Sequence, residues 1–435
     1  MRCGFLFHRR GKPLPAVLLI CATALILASS SHAQNEQSGS GQLASITITG
    51  STKYHSDQIA PVTGLHVGDQ ITRDDIQKGA DSLANLGLFN KVQFRFATVT
   101  SGVEVQYEVA DAPTIPVLFD NFPWLSDADL IAGIQTSVHL FDGTAPDHGT
   151  ILDDISNALA RQLQAHAITV NVTYEVVTLR WNEEKVVRLR AEGAIPTIQS
   201  IVFGDALASS DHAIADRLPD LVGKPYSRSA IETFEFEQVR PIYLSHAFLQ
   251  VKFEEPTPRV EANHVVVRAP IVPGPAFVWN GVTWFGNQAI SSADLTKLVN
   301  VNLGGPADGM KIQSTWESVR SAYSRLGYLD MALNLFPNFN VETKRVSYTV
   351  KIAEGPQYHM GKLVLTGLSM EGERRVRSGW RIPAGAVFDD SFYQEFVEDG
   401  IKQALAGLPV HYLRIGRYLD KDQAAATINV MLDFQ

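Results

Sequence analysis

Apolar residues between Gly68 and Phe96 first follow a helical spacing and then alternate with polar ones. Thr72 precedes the helical part as a candidate side-chain cap, and Gly87 follows it as a residue that readily adopts the left-handed conformation that ends a helix. The pattern predicts a helix from Thr72 to Gly87 that leads directly into a strand. The helical face consists of Ile76, Ala80, Leu83 and Leu86, and the alternating residues are Val92, Phe94 and Phe96.

The small residue that ends this helix recurs at an interval of 80 residues. An apolar residue follows each copy, and a candidate helix cap precedes each. We interpret the chain as five copies of one unit, each with the order strand, helix, helix, strand, strand. The recurring small residues are Gly87, Ala167, Ala247, Gly327 and Gly407, and the candidate caps are Thr72, Thr150, Ser227, Asp308 and Asp389.

The predicted units meet at joints rich in proline and glycine. Units of about 80 residues are near the lower size for an independent core, so we expect neighbours to pack on each other in an elongated array. Pro241 lies inside the long helix of the third unit and predicts a kink there. The units span residues 43–112, 113–193 (the most divergent), 194–273, 274–354 and 355–435.

The first 33 residues have the pattern of a targeting segment. Basic residues precede an apolar run from Leu14 to Ala28, and Ser31-His32-Ala33 resembles a cleavage site. We predict that residues 1–33 are a signal peptide, that residues 34–42 are a flexible leader, and that the protein is periplasmic. The alternative is a retained anchor, although the apolar run is short of the ~20 residues that span a bilayer.

Composition and charge exclude several classes of function. The 435 residues are 45% apolar and 19% charged, which is typical of a globular protein. The formal net charge of −9, without a basic stripe, predicts that the chain does not bind nucleic acid. Both cysteines, Cys3 and Cys21, lie in the predicted signal peptide, so we expect a mature chain without disulfides.

Motifs that carry catalytic or cofactor chemistry are absent from the sequence. It contains no P-loop, no dinucleotide-binding glycine pattern, no HExxH and no nucleophile elbow. We therefore predict no enzymatic activity, no cofactor and no small-molecule substrate. Four tryptophans lie at helix- or strand-period positions and are expected to pack in cores: Trp124, Trp279, Trp284 and Trp316.

One loop before the second long helix contains side chains that can ligate a metal ion. Gly143, Pro146 and Gly149 indicate that this loop is flexible and solvated. We therefore predict no metal site there. The residues in question are His139, Asp142, Asp147 and His148.

The order of elements and the glycine pattern resemble POTRA domains, the polypeptide-transport-associated modules in front of outer-membrane barrels of the BamA, TamA and two-partner-secretion transporter type. Leu86 to Val92 is the closest match, and the glycine-aromatic step out of the helix is clearest at Gly327-Tyr328. The resemblance implies an α+β fold of five tandem POTRA-like β-α-α-β-β modules. Because the sequence ends on the fifth closing strand, no β-barrel is expected. Turn glycines before the long helix are Gly68, Gly223, Gly305 and Gly385.

The resemblance implies a protein-binding scaffold. The second strand of each module is expected at a sheet edge, where it can pair with an extended client chain. The implied clients are unfolded or nascent outer-membrane proteins, and a separately encoded outer-membrane barrel protein is a further implied partner that would hold the chain at the outer membrane. The candidate contact residues are Val92, Phe94, Phe96, Val170, Val172, Val251, Phe253, Leu333, Leu335, Leu413 and Ile415.

These residues lie in five predicted contact rows, one per unit: residues 91–96, 169–176, 249–254, 331–336 and 411–415. Two other functions remain open. A membrane-anchored envelope or division protein uses such modules as docking sites, and an intact amino terminus would support that function. A periplasmic folding enzyme, such as a prolyl isomerase, is separable by a peptide isomerisation assay.

Overall fold

The computed structural model of this protein describes residues 40–409 and 413–435. This part of the chain divides into two compact units. The first comprises residues up to Leu83 together with Lys91–Ala110, and the second comprises Ala84–Asn90 and Asp111–Gln435. The predicted signal peptide, most of the predicted leader and His411 lie outside the described residues. Within them, no helix combines the length and the apolar character that crossing a bilayer requires.

The described part of the chain contains five small sheets with one common strand order and a further sheet of two very short strands, and the five are numbered here in chain order. In each, a central strand pairs in parallel with the first strand. The strand that directly precedes the central strand in sequence, called here the edge strand, lies on the other side of the central strand and is antiparallel to it in sheets 2 to 5. The alternation of buried and exposed residues along the central strands places one face of each sheet against its helices.

The strand bounds follow the five sheets in chain order. The first strands are Gly41–Thr49, Ile115–Phe119, Thr197–Phe203, Val278–Phe285 and His359–Thr366. The central strands are Gly102–Asp111, Lys185–Glu192, His264–Ala269, Arg345–Ala353 and Thr427–Phe434. The edge strands are Phe89–Val99, Asn171–Thr178, Thr257–Glu261, Ala332–Asn340 and Ile415–Asp422. Two-residue strands are Gln70–Ile71, Thr144–Ala145, Lys252–Phe253 and Ile271–Val272.

A short helical segment and a long helix connect the first strand of each sheet to its edge strand, so the predicted β-α-α-β-β order is confirmed. The short α-helices are Ser56–Ile59, Asp127–Gln135, Ala206–Ser210, His212–Arg217, Ser292–Lys297 and Met370–Gly379, and 3-10 turns follow at Ala60–Thr63 and Leu218–Asp220. The long helices are Arg73–Asn85, Ile151–Ala165 and Gly309–Arg325 in sheets 1, 2 and 4. In sheets 3 and 5 the long helix consists of Arg228–Phe234, Glu235–Val239 and Arg240–Ser245, and of Asp390–Glu395, Phe396–Gly400 and Ile401–Ala404.

The middle segments of these last two helices are π turns. In sheet 3 the turn precedes Pro241, whose missing N–H cannot complete an α-helical bond, so the predicted kink is a local change of helix type. Phe396–Gly400 forms the same turn without a proline, so proline alone does not explain it.

The five recurring small residues all adopt a left-handed backbone conformation. Their φ angles are +87° at Gly87, +61° at Ala167, +66° at Ala247, +79° at Gly327 and +78° at Gly407. An alanine in this conformation costs roughly 1–2 kcal/mol relative to a right-handed one. The 80-residue period of the sequence is therefore the period at which the long helices end.

Side-chain caps begin most of the long helices at the predicted positions. The Asp75 amide donates to the Thr72 hydroxyl at 3.4 Å, and the Thr72 amide donates back to the Asp75 carboxylate at 3.0 Å. Ser227, Asp308 and Asp389 likewise accept bonds from first-turn amides. The prediction for Thr150 is wrong, because its right-handed helical backbone does not direct its hydroxyl to the first-turn amides, and no side-chain cap forms.

Sheets 3, 4 and 5 each have a separate hydrophobic core. Trp279, Trp284 and Trp316 are buried in the core of sheet 4, as predicted, and the Trp284 indole donates to the Thr296 hydroxyl at 3.1 Å. Trp124 is only partly buried.

The ends of the long helices of sheets 3 and 4 pack against the sheet that follows each of them. Ala247 and Leu249 join the core of sheet 4, and Leu329 packs against the core of sheet 5. Backbone bonds fix these joints: the Phe277 amide donates to the Ala247 carbonyl at 2.9 Å, and the Tyr358 amide donates to the Gly327 carbonyl at 2.8 Å. The left-handed turn therefore serves both to end the helix and to attach the following sheet.

Candidate functional site

The edge strand is the outermost strand of every sheet in the described residues. On the opposite side, the first strand is paired with the segment that precedes the long helix, through Gln70–Ile71, Thr144–Ala145 or an isolated antiparallel bridge. Each sheet is thus closed on one side and open along its edge strand. An open edge presents backbone donors and acceptors to which an extended chain can bind. The bridges are Thr197↔Pro225, Val278↔Pro306 and His359↔Val387.

In sheet 1 the predicted contact row lies within the edge strand Phe89–Val99. Val92, Phe94 and Phe96 are half-buried and alternate with exposed residues. The Phe94 ring lies 6.2 Å from the ring of Tyr107, which is buried on the central strand. These side chains therefore face the core, and the strand offers mainly its backbone to a client.

The outer face of the same strand is charged. Lys91 and Arg95 each approach the Glu108 carboxylate at 3.4 Å. Such exposed pairs contribute little to stability. A lysine and an arginine on an edge also oppose pairing with a second copy of the same edge, because like charges would meet.

In sheet 2 the edge strand lies two residues later than the predicted row. The strand is Asn171–Thr178, and Val170 precedes it. Val172 is buried against its own sheet, whereas Tyr174 and Val176 are exposed. The Tyr174 hydroxyl donates to the Asp153 carboxylate at 3.0 Å; burial and this bond raise the pKa of Tyr174.

The predicted row of sheet 3 is wrong. Val251 lies outside any strand, and Phe253 belongs to a two-residue strand that pairs with Ile271–Val272. Both side chains pack against the sheet 3 core, and the Phe253 ring contacts the buried ring of Tyr243. The edge strand is Thr257–Glu261, whose polar composition and Pro258 concealed it in the sequence.

In sheet 4 the predicted row matches the start of the edge strand Ala332–Asn340. Leu333 and Leu335 lie opposite Ile352 and Val350 of the central strand and are half-buried against the core. The outward-facing Phe336 is exposed, and the Lys351 ammonium lies 5.3 Å from its ring centre.

In sheet 5 the predicted row is too early. Leu413 precedes the edge strand, is fully exposed, and donates its amide to the Gln435 carbonyl at 2.6 Å. Ile415 is the first residue of the edge strand and packs partly against the core. From Arg417 to Asp422 every residue of the strand is exposed, so no alternation of buried apolar residues predicted it.

Prolines divide the five edges into two classes. Pro258 and Pro337 lie within the edge strands of sheets 3 and 4, whereas the other three edge strands contain no proline. Proline lacks an N–H and is tolerated in a sheet where that side of the backbone faces outward. Each proline therefore removes an outward donor. Outward-facing backbone groups occur at every second residue of an antiparallel strand. The backbone N–H and C=O groups of Leu333 and Leu335 therefore face outward, on the same side as the backbone of Pro337.

The polar loop of sheet 2 forms local bonds. His148 Nδ1 lies 2.6 Å from the Asp147 carboxylate, which accepts from the Lys185 ammonium at 2.9 Å. The lysine and the histidine lower the pKa of Asp147 to about 2. Asp142 accepts from Thr144, and the His139 ring bonds the Gln135 carbonyl.

A charged network that joins sheets 2 and 3 had no signal in the sequence pattern. Asp120 is fully buried and accepts from the Ser229 amide at 2.7 Å and the Ser227 hydroxyl at 3.0 Å. Arg228 donates to Asp127 at 2.7 and 2.8 Å and lies 2.9 Å from Glu255. Burial opposes the charge of Arg228, but these carboxylates raise its pKa above the usual value.

Comparison with known proteins identifies the kind of module present. Residues 42–111 and 277–355 match the family model described as "POTRA: Surface antigen variable number repeat". These segments contain sheets 1 and 4. The resemblance to POTRA domains predicted from the sequence is therefore confirmed, and the other sheets repeat the same strand order.

The similar proteins have low sequence identity to this chain. A Treponema pallidum (strain Nichols) protein described as "Putative outer membrane protein assembly factor" is 24% identical over 210 residues, covering 46% of this chain and 24% of the relative. The chain thus spans about a quarter of that relative's length. Structures similar to this chain include Haemophilus influenzae BamA POTRA3-5, with 15% identity, a TM-score of 0.42, and coverage of 55% of this chain and 96% of that one. The N-terminal domain of Omp85 from Thermosynechococcus elongatus has 10% identity, a TM-score of 0.22, and coverage of 90% and 96%.

Proposed function

We propose that this protein is a periplasmic scaffold that binds unfolded or nascent outer-membrane proteins by strand addition during their assembly or secretion. The observation that carries the proposal is the open edge that recurs in every described sheet. The matches to the POTRA family model and to a relative described as an assembly factor support it. A separately encoded outer-membrane protein is the proposed partner that holds the scaffold at the membrane.

Strand addition suits clients of many sequences. Backbone bonds provide affinity with little dependence on side chains, and apolar side chains beside the edge select clients with alternating apolar residues. Several edges in one chain raise the effective concentration of the remaining edges once one is occupied. The same backbone chemistry requires no ionisable catalytic group and no cofactor.

The edges differ in their expected capacity. The edge strand of sheet 1 has eleven residues and no proline, which gives it the longest run of outward backbone groups. Sheets 2 and 5 have proline-free edges of eight residues. Sheets 3 and 4 are expected to bind more weakly, because Pro258 and Pro337 interrupt the outward donors.

Hydrogen exchange with a client peptide tests the proposal. The probe is a peptide that copies one transmembrane strand of an outer-membrane protein, and the control peptide has the same composition with prolines at alternate positions. We expect the probe to slow amide exchange in Phe89–Val99, Asn171–Thr178 and Ile415–Asp422, with a smaller effect in Thr257–Glu261 and Ala332–Asn340. Unchanged exchange in all five strands, or equal protection by the control, would contradict strand addition.

The proposed periplasmic location is tested by identifying the amino terminus of the mature protein. Mass spectrometry of the protein from an envelope fraction is expected to find a mature amino terminus at Gln34. An intact amino terminus at Met1 would instead support a membrane-anchored docking protein. Affinity capture from the same fraction is expected to recover an outer-membrane protein, and its consistent absence would contradict the proposed partner.

A further inference from the structure

A cavity of about 400 Å³ lies between the turn after the edge strand of sheet 2 and the long helix of sheet 3. Trp181 supplies one wall, and Glu232, Glu235, Phe236 and Arg240 line the helix side. The segment that follows the long helix closes the third side with Glu254 and its neighbours. Its volume lies in the range of small-ligand sites.

The Glu235 carboxyl group is buried in the wall of this cavity without a partner. Glu235 is 1% exposed, and neither of its carboxyl oxygens has a hydrogen-bond partner in the part of the chain that the structure describes. It opens the π turn Glu235–Val239, and π turns occur frequently at functional sites. A buried carboxyl group with no partner is costly for the fold, which points to a ligand that satisfies it.

Two carboxyl groups of the cavity have raised pKa values. Burial, reinforced by the charge of Glu232, raises the pKa of Glu235 to about 8. Burial also raises the pKa of Glu232 to about 7, against the opposing effect of Arg228. Near neutral pH both groups therefore hold a proton for part of the time, and a neighbouring positive charge would release it.

The two guanidinium groups of the cavity already contact other residues than Glu235. Arg228 donates to Asp127 and lies 2.9 Å from Glu255. Arg240 lies over the Phe236 ring, with its guanidinium carbon 5.4 Å from the ring centre. The lining as a whole is acidic, since four glutamates face these two arginines: Glu232, Glu235, Glu254 and Glu255.

We propose that this cavity binds an organic cation, an ammonium or guanidinium group, that pairs with Glu235 and Glu232 and lies against Trp181 and Phe236. Aromatic faces attract organic cations and offer no ligand to a hydrated metal ion. Phe236 already accepts a guanidinium on one face. The cation comes either from a free polyamine or from a lysine or arginine side chain of a polypeptide. This site lies apart from the edge strands, so it does not rest on strand addition.

Calorimetry with two probes tests the site and separates the two sources. Spermidine and the peptide Gly-Arg-Gly are titrated near neutral pH in two buffers that differ in ionisation enthalpy. We expect saturable binding with net release of up to about one proton, because the bound cation ionises the carboxyl pair. Binding of spermidine alone indicates a polyamine site, and binding of the peptide alone indicates a side-chain site; either supports the proposal.

Glu235→Gln is the decisive variant, since it keeps the shape of the side chain and removes the charge. We expect at least about tenfold weaker binding and loss of the proton release. Glu237→Gln is the matched control, because Glu237 is on the same helix but pairs with Arg180 at the surface at 3.4 Å. Absence of binding by both probes, or an equal effect of both substitutions, would overturn the proposal.

Discussion

Burial decides the behaviour of single ionisable residues in this protein more than their neighbours in sequence do. Glu235 and Glu237 lie two residues apart on one helix, yet the first is buried without a partner and the second is exposed in an ion pair. Their pattern in the sequence gave no hint of this difference. The walls of the cavity come from Trp181 and from a helix about 50 residues later in the chain, so only the tertiary structure creates the site.

The raised pKa of Glu235 predicts a stability that falls as pH rises. The folded-state pKa of about 8 exceeds the ordinary value of 4.5, so the folded protein binds more protons between these values than the unfolded chain. The free energy of unfolding therefore decreases through that range. Glu235→Gln removes this loss of stability at high pH. Near pH 8 the variant is expected to be more stable than the native protein by an amount on the order of a few kcal/mol.

Urea unfolding at several pH values measures this effect. The difference between Glu235→Gln and the native protein is expected to shrink as pH falls from 8 and to level off below 4.5, where Glu235 is protonated in both states. Glu237→Gln serves as the control and is expected to show a difference of less than about 1 kcal/mol throughout. A difference for Glu235→Gln that is constant with pH would contradict the assigned shift.

The ends of the long helices show what one element requires of its final residue. Gly327 and Gly407 have nearly the same left-handed conformation, with φ of +79° and +78°. Their surroundings differ: a Cβ at Gly327 would lie 2.6 Å from the Tyr358 carbonyl oxygen, whereas a Cβ at Gly407 would meet no atom of the described residues within 4 Å. Comparing substitutions at Gly327 and Gly407 therefore distinguishes the effect of backbone strain from the effect of the contact with the next sheet.

We predict that Gly327→Ala is more destabilising than Gly407→Ala. The substitution at Gly407 adds only the strain of a left-handed alanine, roughly 1–2 kcal/mol. The substitution at Gly327 adds the clash with the Tyr358 carbonyl and disturbs the backbone bond that attaches sheet 5. Thermal unfolding of both variants checks which substitution is more destabilising. Equal destabilisation would contradict an added cost from the contact between Gly327 and Tyr358.

Replacing Pro337 tests whether the proline weakens the binding of a client strand to the edge strand of sheet 4. Pro337→Ala restores an outward N–H on the edge strand of sheet 4, so the client peptide is expected to protect Ala332–Asn340 more strongly than in the native protein. The greater freedom of the unfolded chain costs about 0.4–1 kcal/mol of stability. Pro356→Ala, in the loop that follows the central strand, controls for loss of a proline elsewhere. Unchanged protection of Ala332–Asn340 would refute the role assigned to Pro337.

The sequence predicted those elements whose apolar residues alternate and missed those without such alternation. The strand Thr427–Phe434 shows this alternation, because its buried residues recur at period two. The edge strands of sheets 3 and 5 expose most of their side chains and are held by backbone pairing to the central strand. Side-chain periodicity carries no information about such pairing, so the row predicted in sheet 3 was wrong and the row predicted in sheet 5 was placed too early.

At the scale of the molecule, the period of 80 residues predicted the repetition of the fold but not the contacts between repeats. Residues at equivalent positions of the period differ between repeats and therefore form different contacts. Asp330 follows the long helix of sheet 4 and accepts from the Tyr358 hydroxyl at 2.6 Å and from the Lys421 ammonium at 2.5 Å. Lys421 lies on the edge strand of sheet 5, and Tyr358 directly precedes the first strand of that sheet. The corresponding residues in the other repeats are Asn90, Val170, Gln250 and Val410, so this joint was invisible to the repeat pattern.

Asp330 is therefore expected to couple the stability of sheets 4 and 5. Lys421 and then Tyr358 lower the pKa of Asp330, so its contribution is present above the ordinary value of 3.8 and is lost as pH falls below it. In Asp330→Asn near neutral pH, we expect faster amide exchange in the central strand Thr427–Phe434, with little change in Arg345–Ala353. The two carboxylate bonds are partly exposed, so the expected loss of stability is about 1 kcal/mol.

Asp399→Asn is the control. It breaks an ion pair within one helix, with Lys402 at 3.2 Å, and should leave exchange in both strands unchanged. Native-like exchange of Thr427–Phe434 in Asp330→Asn would mean that the backbone joint at Gly327 alone attaches sheet 5.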